Sequence, residues 1–410
     1  MKEKIKESTV KIISLLIRVL RTFLSKDLVV IIPPYDGGSL GDEAMLLAIT
    51  DSVKEVNKDT KFKLVTYASN HHGYNCLNAN PIDMSLYFSW LSTKQQIVFC
   101  FTLLRCKQIY LMGADVLDGF YNENRSLRRI KLIGLAHSCG VPSSILGFSF
   151  KKTAKQSCIE ALIKLPKETK VFTRDPESYK RLMNFGVSQA VPVTDLAFLL
   201  KPDQSNDKDI LETIDWCRKT TDEALTVGIN LNFTMLLQRI EDQDEVLQLF
   251  IDFVANSLNL NPKLRFLFIP HDNRSTPNFL SDWDVAKIIQ NRLPTNLLSR
   301  FKYCPETFNA RKIKRVVNEV DLVFTGRMHL AIATMGQGKA VVGLDYQDKF
   351  VGMFEHVGIS HCVHDALMIK KTDELVSILD NSIKNHVVIE NTVKANVNKL
   401  FALSKSQLDT

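Results

Sequence analysis

The chain has 410 residues and a mass of 46.5 kDa, more than one hydrophobic core usually supports, so we expect two domains. Hydrophobic residues make up 45% and charged residues 24%, ordinary globular values that exclude a disordered or fibrous protein. The formal net charge is +7, and residues 1–26 contribute +5 of it, with seven basic and two acidic side chains. The remaining +2 is too weak a field for a nucleic-acid groove, so we expect no nucleic-acid partner.

Residues 1–26 are predicted to form a basic amphipathic helix. Arg18 and Arg21 interrupt its apolar run, and no small-residue cleavage site follows, so the segment fits neither a bilayer-spanning helix nor a signal peptide. Peripheral contact with an anionic membrane is one explanation, and a helix packed on the protein body or a frayed leader is the other. Eight cysteines without a CxxC pair indicate a reduced protein, which we expect in the cytoplasm or at the inner face of the membrane.

From residue 28 onward, short β-branched runs alternate with helical stretches, which is typical of parallel βαβ units. In the first half, strands are predicted at residues 28–32, 62–67, 108–112, 144–148 and 171–174, and helices at residues 43–56, 127–139, 153–164 and 178–184. A polar stretch at residues 201–222 predicts a linker or a domain edge.

The second half repeats the alternation. Its strands are predicted at residues 225–230, 264–269, 322–324 and 340–344, and its helices at residues 245–258, 284–291 and 309–317. The predicted fold is therefore α/β, with two Rossmann-like domains facing a central cleft. The predicted segments are the N-terminal helix 1–26, an N-terminal domain 27–205, a C-terminal domain 223–365 and C-terminal helices 366–410.

Ligands bind beyond the carboxyl ends of parallel strands, so the residues directly after each strand are the candidate site residues. The first strand is followed by Gly37-Gly38-Ser39-Leu40-Gly41-Asp42-Glu43-Ala44, in which glycines let the backbone approach a ligand. Asp42 and Glu43 at the helix start would repel a phosphate, so a sugar suits this segment better. The structural alternative is a tight turn in which Asp42 caps the helix.

Two further strand ends in the first half carry charged residues. Asp115 and Asp118 follow the strand at 108–112, and either could accept a hydroxyl proton or belong to a surface turn. Arg174 ends the strand at 171–174, and its planar guanidinium suits a carboxylate or a phosphate. The alternative for Arg174 is a salt bridge to Asp175 or Glu177.

The strongest local signal is Gly326-Arg327-Met328-His329-Leu330, which follows a predicted strand and opens a helix. The guanidinium of Arg327, the imidazole of His329 and the amides of the helix start would converge on one point, which predicts an anion site. Pro270-His271-Asp272 follows another strand. His271 fits a binding role and a loop-stabilising role equally well.

Together and in this order, these segments resemble the polysaccharide pyruvyl transferase family over about residues 36–358. The matching segments are Gly41-Asp42-Glu43-Ala44, residues 113–118, 174–178 and 195–198, Pro270-His271-Asp272, Arg327-Met328-His329, residues 346–349 and Gly358. Two of these segments depart from the family pattern: Ser39 stands where the family has asparagine, and Ala114-Asp115 stand where it has glycines.

The resemblance implies a fold similar to GT-B glycosyltransferases, in which the C-terminal domain holds phosphoenolpyruvate as donor and the N-terminal domain holds a sugar or lipid-linked glycan acceptor. By matching position, Arg174, Arg327, His329 and Leu330 would contact the donor. The full assignment is catalytic His329, Arg327 and Asp42, and substrate-binding Arg174, Leu330, His271, Ser39, Glu43, Asp115, Asp118 and Lys349. We expect no metal and no cofactor besides the donor.

The implied reaction forms a pyruvate ketal on a sugar of a polysaccharide or glycan precursor. His329 would protonate the methylene carbon, because a histidine exchanges protons near neutral pH. A carboxylate of Asp42, Asp115 or Asp118 would activate the attacking hydroxyl. A GT-B glycosyltransferase that uses a nucleotide sugar and a non-catalytic glycan-binding relative stay open as alternatives, because fold does not fix function.

Overall fold

Two parallel sheets organise the chain. The computed structural model describes residues 2–35, 37–66, 80–83, 92–218, 224–275, 280–346 and 350–409. The chain divides into unit 1, which comprises Met1–Gly37, Met45–Leu196 and Leu403–Thr410, and unit 2, which comprises Gly38–Ala44 and Ala197–Ala402.

Unit 1 contains a seven-stranded parallel sheet of order β3-β2-β1-β4-β5-β6-β7. Its strands are β1 Leu28–Ile32, β2 Lys61–Thr66, β3 Asn80–Asp83, β4 Cys106–Ala114, β5 Ser143–Phe148, β6 Lys170–Thr173 and β7 Ala190–Pro192. Its helices are α1 Lys2–Leu20, most of α2 Leu40–Val56, α3 Thr93–Thr102, α4 Glu123–Ser138, α5 Gln156–Ile163 and α6 Pro176–Asn184. Strands β1 and β5 are buried along their whole length, as expected for a parallel sheet covered on both faces.

Unit 2 contains a six-stranded parallel sheet of order β10-β9-β8-β11-β12-β13. Its strands are β8 Leu225–Asn230, β9 Leu264–Phe268, β10 Phe301–Tyr303, β11 Leu322–Thr325, β12 Ala340–Asp345 and β13 Val363–Asp365. Its helices are α7 Lys208–Arg218, α8 Phe233–Ile240, α9 Gln243–Leu260, α10 Asp282–Arg292, α11 Ala310–Val316, α12 Met328–Met335, α13 Phe350–Glu355, α14 Thr372–Lys384 and most of α15 His386–Lys405.

Both sheets reverse their strand order beside their first strand. The reversal lies between β1 and β4 in unit 1 and between β8 and β11 in unit 2. In doubly wound folds ligands bind at this switch point, beyond the carboxyl ends of the two strands. The loops after β1, β4, β8 and β11 are therefore the first places to look for the candidate site residues.

All nine predicted strands are confirmed, and the short edge strands β3, β7, β10 and β13 are additional. Residues 201–222 were predicted as a linker or a domain edge, and the linker alternative does not hold for the middle of this stretch, where α7 forms. The Asp207 carboxylate caps this helix by accepting the amides of Asp209 and Ile210. Ile210 and Ile214 are buried, so an apolar face stabilises a segment whose composition is polar.

The two units differ from the predicted segments at three places, and the first is residues 197–205, which belong to unit 2 and were predicted in the N-terminal domain. Gly38–Ala44 belongs to unit 2 because its backbone pairs with the loop after β9, whereas it was predicted within residues 27–205. The last eight residues belong to unit 1, where Gln407 accepts the amide of Gly147 (2.8 Å) and donates to the carbonyl of Thr194 (2.7 Å). The chain end thus completes the hydrogen bonding of buried backbone in unit 1.

Replacing Gln407 by leucine should destabilise unit 1. The side chain of Gln407 is fully buried, and the substitution would leave the Gly147 amide and the Thr194 carbonyl without these bonds. We expect a loss on the order of 2 kcal/mol in the free energy of unfolding, measured by urea denaturation. Ser406→Ala is the matched control, since its exposed hydroxyl bonds only within the last helical turn. Equal stability of the two variants would contradict the assigned role.

Candidate functional site

The Gly-rich segment Gly38–Ala44 is hydrogen-bonded to the loop after β9. Ser39 and Asp272 form an antiparallel bridge, the amide of Leu40 donates to the His271 carbonyl (3.0 Å), and that of Asn273 donates to the Gly38 carbonyl (2.8 Å). Gly38 has a φ of +88°, which side chains rarely adopt. Glycine at position 38 therefore allows the two segments to meet.

Gly41 brings the same segment against His329. A Cβ atom at Gly41 would lie 2.2 Å from Nδ1 of His329 and 2.5 Å from its Cγ, so the imidazole lies directly on the Gly41 backbone. His329 is the second residue of α12, beyond the end of β11. The structure thus brings together two motifs that lie nearly 300 residues apart in the sequence.

The polar residues of this segment have structural partners. Ser39 accepts the amide of Asp42 (3.3 Å), so Ser39 is the helix cap and the alternative in which Asp42 caps α2 is wrong. Glu43 accepts the amide of Ala310 (3.1 Å), the first residue of α11. Burial raises the pKa of Glu43, although this hydrogen bond and the charge of Arg311 oppose the shift. The substrate-binding roles of Ser39 and Glu43 stay predictions.

The carboxylate of Asp282 connects the strand ends of unit 2. One oxygen accepts Nδ2 of Asn230 (2.8 Å) and the amides of His271 (2.8 Å) and Asp272 (3.1 Å), and the other accepts Nη2 of Arg327. Asn230 ends β8, His271 and Asp272 follow β9, and Arg327 follows β11. A single buried side chain therefore fixes three loops around the switch point.

Arg327 is held by two carboxylates. Its Nη1 lies 3.3 Å from Oδ2 of Asp272, its Nη2 bonds Asp282, and its side chain is only 13% exposed. Burial would lower the pKa of Arg327, but the charges of Asp282 and Asp272 raise it. Among the described residues, Nε of Arg327 has no hydrogen-bond partner. The guanidinium is therefore fixed in direction, and its Nε–H is a donor that a ligand could use.

Asp272 also binds Arg274, whose Nε lies 2.8 Å from Oδ1 and whose Nη2 lies 2.5 Å from Oδ2. Burial would raise the pKa of Asp272, but its hydrogen bond to Arg274 and the charges of Arg327 and Arg274 hold it below the usual value. The side chain of Arg274 is 43% exposed. Among the described residues of the cluster, Arg274 is thus a more accessible cation than Arg327, and the strand-end motifs did not point to it.

His271 is a neutral, buried imidazole. Neither of its ring nitrogens forms a hydrogen bond within the described part of the chain. Burial, together with the charges of His329 and Arg327, lowers the pKa of His271 to about 3. A buried polar group without a partner costs free energy. The neutral ring of His271 has one donor nitrogen and one acceptor nitrogen, and both could bond a polar ligand. This geometry favours the binding role over the loop-stabilising role.

Asn232 and Leu330 complete the surroundings of the switch point. Asn232 has a left-handed φ of 59°, and its Nδ2 donates to the Gly326 carbonyl (3.0 Å) and to the Tyr346 hydroxyl (3.2 Å). Leu330 is fully buried, and its amide donates to the Arg327 carbonyl (3.1 Å). The predicted contact of Leu330 with a ligand stays a prediction. Lys349 lies outside the described residues.

In unit 1, Arg174 forms a buried ion pair. Its Nη1 lies 2.8 Å from Oδ2 of Asp195, and its Nε donates to Ser149 (2.9 Å). The hydrogen-bonded carboxylate is thus neither Asp175, which caps α6, nor Glu177, so the salt-bridge alternative named the wrong partners. Burial would lower the pKa of Arg174, but Asp195 and other nearby carboxylates raise it. Donor contact by Arg174 stays a prediction.

Asp115 and Asp118 lie beyond β4, at the switch point of unit 1. Asp115 accepts the hydroxyl of Tyr121 (3.0 Å), and Asp118 is fully buried and accepts the amide of Phe120 (2.9 Å). Burial raises the pKa of Asp118, with the Phe120 amide opposing the shift. Its Oδ2 has no hydrogen-bond partner among the described residues. One oxygen of Asp118 therefore stabilises the loop, and Oδ2 could accept a hydrogen bond from a ligand.

The same loop exposes two aromatic rings. Phe120 and Tyr121 are about half exposed and pack edge to face, with ring centroids 5.1 Å apart. The ammonium of Lys151 lies 3.2 Å from the centroid of Phe120 and 5.0 Å from that of Tyr121. An aromatic surface beside two carboxylates suits a polyhydroxylated ligand, which has both C–H faces and hydroxyl groups.

Gly41→Ala should strain the contact with His329. The added methyl group would overlap the imidazole, so we expect the free energy of unfolding to fall by about 1–3 kcal/mol in urea denaturation. Gly134→Ala is the control, because nothing lies within 4 Å of its Cβ position inside α4. That variant should gain up to about 1 kcal/mol from helix propensity. A stable Gly41→Ala variant would contradict the described packing.

His271 should make stability depend on acid pH. Its folded pKa of about 3 lies below its unfolded value, so from about pH 6.5 downward only the unfolded chain binds the proton and stability falls. His271 should lower the free energy of unfolding by up to about 1.4 kcal/mol for each pH unit of acidification, measured by urea denaturation from pH 4.5 to 7. His271→Gln should flatten the slope, and His361→Gln, an exposed control, should not. Equal slopes in all three proteins would contradict the assignment.

Comparison with solved structures supports the fold. Three similar solved structures are a UDP-GlcNAc 2-epimerase from Neisseria meningitidis (TM-score 0.58, 11% identity), one from Methanocaldococcus jannaschii (0.50, 10%) and a ugt transferase from Siraitia grosvenorii (0.52, 9%). The alignments cover 93%, 85% and 93% of this chain and 98%, 91% and 98% of those chains, respectively. The shared architecture is a two-domain, GT-B-like α/β fold, as predicted. No curated protein matches the chain.

The sequence itself identifies the family. A model of the family described as polysaccharide pyruvyl transferase matches residues 40–348. That span begins in the Gly-rich segment and includes Arg174, His271, Arg327 and His329. The chain belongs to the polysaccharide pyruvyl transferase family.

Proposed function

We propose that the protein transfers the enolpyruvyl group of phosphoenolpyruvate onto a sugar of a polysaccharide or glycan precursor and closes it to a pyruvate ketal. The observation that carries this proposal is the cluster in unit 2, where Gly41, His271, Arg327 and His329 meet at the switch point of a chain that belongs to this family. The cluster has the donors that a small dianionic metabolite requires.

In this proposal, several groups that each attract an anion weakly bind phosphoenolpyruvate together. Because Asp272 and Asp282 already balance Arg327, its guanidinium acts mainly as a directed N–H donor. Arg274 is the cation that can turn to the phosphate, since Asp272 keeps Arg327 as a partner when Arg274 leaves. His271 and the amides at the start of α12 add further hydrogen bonds and a favourable dipole.

The two histidines have different roles in this proposal. His271 remains neutral down to about pH 3, so it binds and does not deliver a proton. His329 is the acid that protonates the methylene carbon of phosphoenolpyruvate. A sugar hydroxyl then bonds to the adjacent carbon and gives its proton to a carboxylate, for which Asp42 in the Gly-rich segment is our candidate.

The remaining steps balance without a further reactant. The bond between the central carbon and the phosphate oxygen breaks, and inorganic phosphate leaves. A second hydroxyl of the same sugar bonds to that carbon and closes the ketal. One hydroxyl proton replaces the proton that His329 gave, and the other leaves with phosphate. Asp115, Asp118 and the rings of Phe120 and Tyr121 are our candidates for holding the acceptor sugar.

A nucleotide-sugar enzyme is the alternative, because two of the similar structures contain UDP or UDP-GlcNAc. At these identities the similarity concerns the fold alone. Thermal unfolding with phosphoenolpyruvate, UDP or UDP-GlcNAc separates the two proposals, since a ligand that binds the folded state raises the midpoint. Stabilisation by UDP and not by phosphoenolpyruvate would contradict a phosphoenolpyruvate donor.

His329→Gln should lower acceptor-dependent phosphate release from phosphoenolpyruvate by about 100-fold or more, because it removes the proton donor. Arg274→Ala should mainly raise KM for phosphoenolpyruvate, because it removes a donor-binding cation.

For both variants, the assay measures phosphate release and identifies the products from a panel of sugar acceptors by mass spectrometry. His361→Gln is the control. Unchanged turnover in His329→Gln would exclude it as the acid.

A further inference from the structure

Helix α1 presents two different faces. Val10, Ser14, Ile17 and Arg21 follow a helical spacing and are buried against unit 1. The Arg21 guanidinium donates to the carbonyl of Cys106 (2.6 Å) and to that of Leu103. The helix is therefore fixed to the protein body along this face and is not a frayed leader.

The opposite face of α1 is apolar and exposed. Seven of the 21 exposed large hydrophobic side chains in the described part of the chain lie within residues 12–24. They are Ile12, Leu15, Leu16, Val19, Leu20, Phe23 and Leu24. Phe23 is 82% exposed and Ile12 is 68% exposed. Such a concentration on α1 and the turn that follows it marks an interaction surface.

Neighbouring elements extend this surface. Val98 and Phe101 of α3, the helix packed beside α1, are about half exposed. Phe101 and Leu24 also line a groove of about 510 Å³. Among the residues that the structure describes, four basic side chains and one acidic side chain line the same groove: Lys54, Lys61, Lys63, Arg105 and Asp27. Asp27 pairs with Lys61 (3.3 Å) and Arg105 (2.5 Å), so the groove keeps a net positive charge.

We propose that the exposed face of α1, with Phe101 and the basic groove, is a docking surface for an anionic lipid bilayer. The apolar side chains would enter the boundary between headgroups and acyl chains, while Lys11, Arg18 and the groove lysines would contact acidic headgroups. A second copy of the chain fits less well, because a symmetric contact would bring these like charges together.

Docking on the surface of the bilayer agrees with the helix itself. No helix in the described ranges combines the length and the apolarity that crossing a membrane requires. A helix with one apolar face and flanking basic residues lies in the plane of the interface. The proposal does not rest on the proposed catalytic function, and the two can fail separately.

Vesicle sedimentation of the full-length protein tests the proposal. We expect the protein to sediment with vesicles of phosphatidylcholine mixed with phosphatidylglycerol and much less with phosphatidylcholine alone. The triple variant Ile12→Ser, Leu16→Ser, Phe23→Ser should bind the anionic vesicles at least about tenfold more weakly. Leu260→Ser, Val387→Ser, Val388→Ser is the matched control, because these residues are similarly exposed elsewhere. Lys11→Gln, Arg18→Gln should weaken binding to anionic vesicles only.

The results of these experiments distinguish membrane docking from self-association. Wild-type protein that stays in the supernatant, or a triple variant that binds like the control, overturns the proposal. A wild-type dimer that dissociates in the triple variant, measured by light scattering, overturns it in favour of self-association. If the triple variant unfolds early, the folded Phe23→Trp variant replaces it. Its emission should shift to the blue with anionic vesicles beyond any shift of the wild type, and no additional shift overturns the proposal.

Discussion

The candidate site depends on the four hydrogen bonds that the Asp282 carboxylate accepts. They join the ends of β8 and β9 and the loop after β11, which are also linked by the Arg327–Asp272 ion pair and by the bond from Asn232 to the Gly326 carbonyl. A buried carboxylate is stable only when it is bonded in this way. Arg327 is the positively charged partner of Asp282. It cannot turn away without leaving the carboxylate charge unpaired, so Arg327 has a fixed direction. The site is therefore organised by a side chain that need not touch a ligand.

The sequence predicts the sheets well and the hydrogen-bond partners poorly. Buried strands of parallel sheets have continuous apolar runs, and the residues after them reveal Arg327, His329 and His271. Asp282 was hidden, because an acid in the first turn of α10 after Ser281 looks like ordinary helix capping. Asp195 was visible only as part of a family motif, and its pairing with Arg174 depends on a loop that local periodicity does not describe.

The two departures from the family pattern differ in their effect on the local backbone. Ser39 caps α2 through its hydroxyl, and serine and asparagine are about equally good in that role. Ala114 ends β4 with a left-handed φ of 45°, a conformation that glycine adopts without strain and alanine adopts at a cost of about 1–3 kcal/mol. Asn232 has a left-handed φ just beyond β8. Left-handed residues therefore occur at the switch points of both sheets, where a ligand is expected.

Unit 1 carries both the proposed membrane-docking surface and the proposed acceptor-binding loop. Their positions limit how far the reacting sugar lies from the lipid of a lipid-linked acceptor. Arg21 bonds Cys106, the first residue of β4, and the groove is lined by Leu28 and Lys61, which begin β1 and β2. Asp115 and Asp118 lie past the opposite ends of these strands. The nine residues of β4 separate the two edges by about 30 Å, at about 3.3 Å per residue. If both proposals hold, docking leaves the carboxyl edge open, and a lipid-linked acceptor reaches it with a sugar several residues away from its lipid.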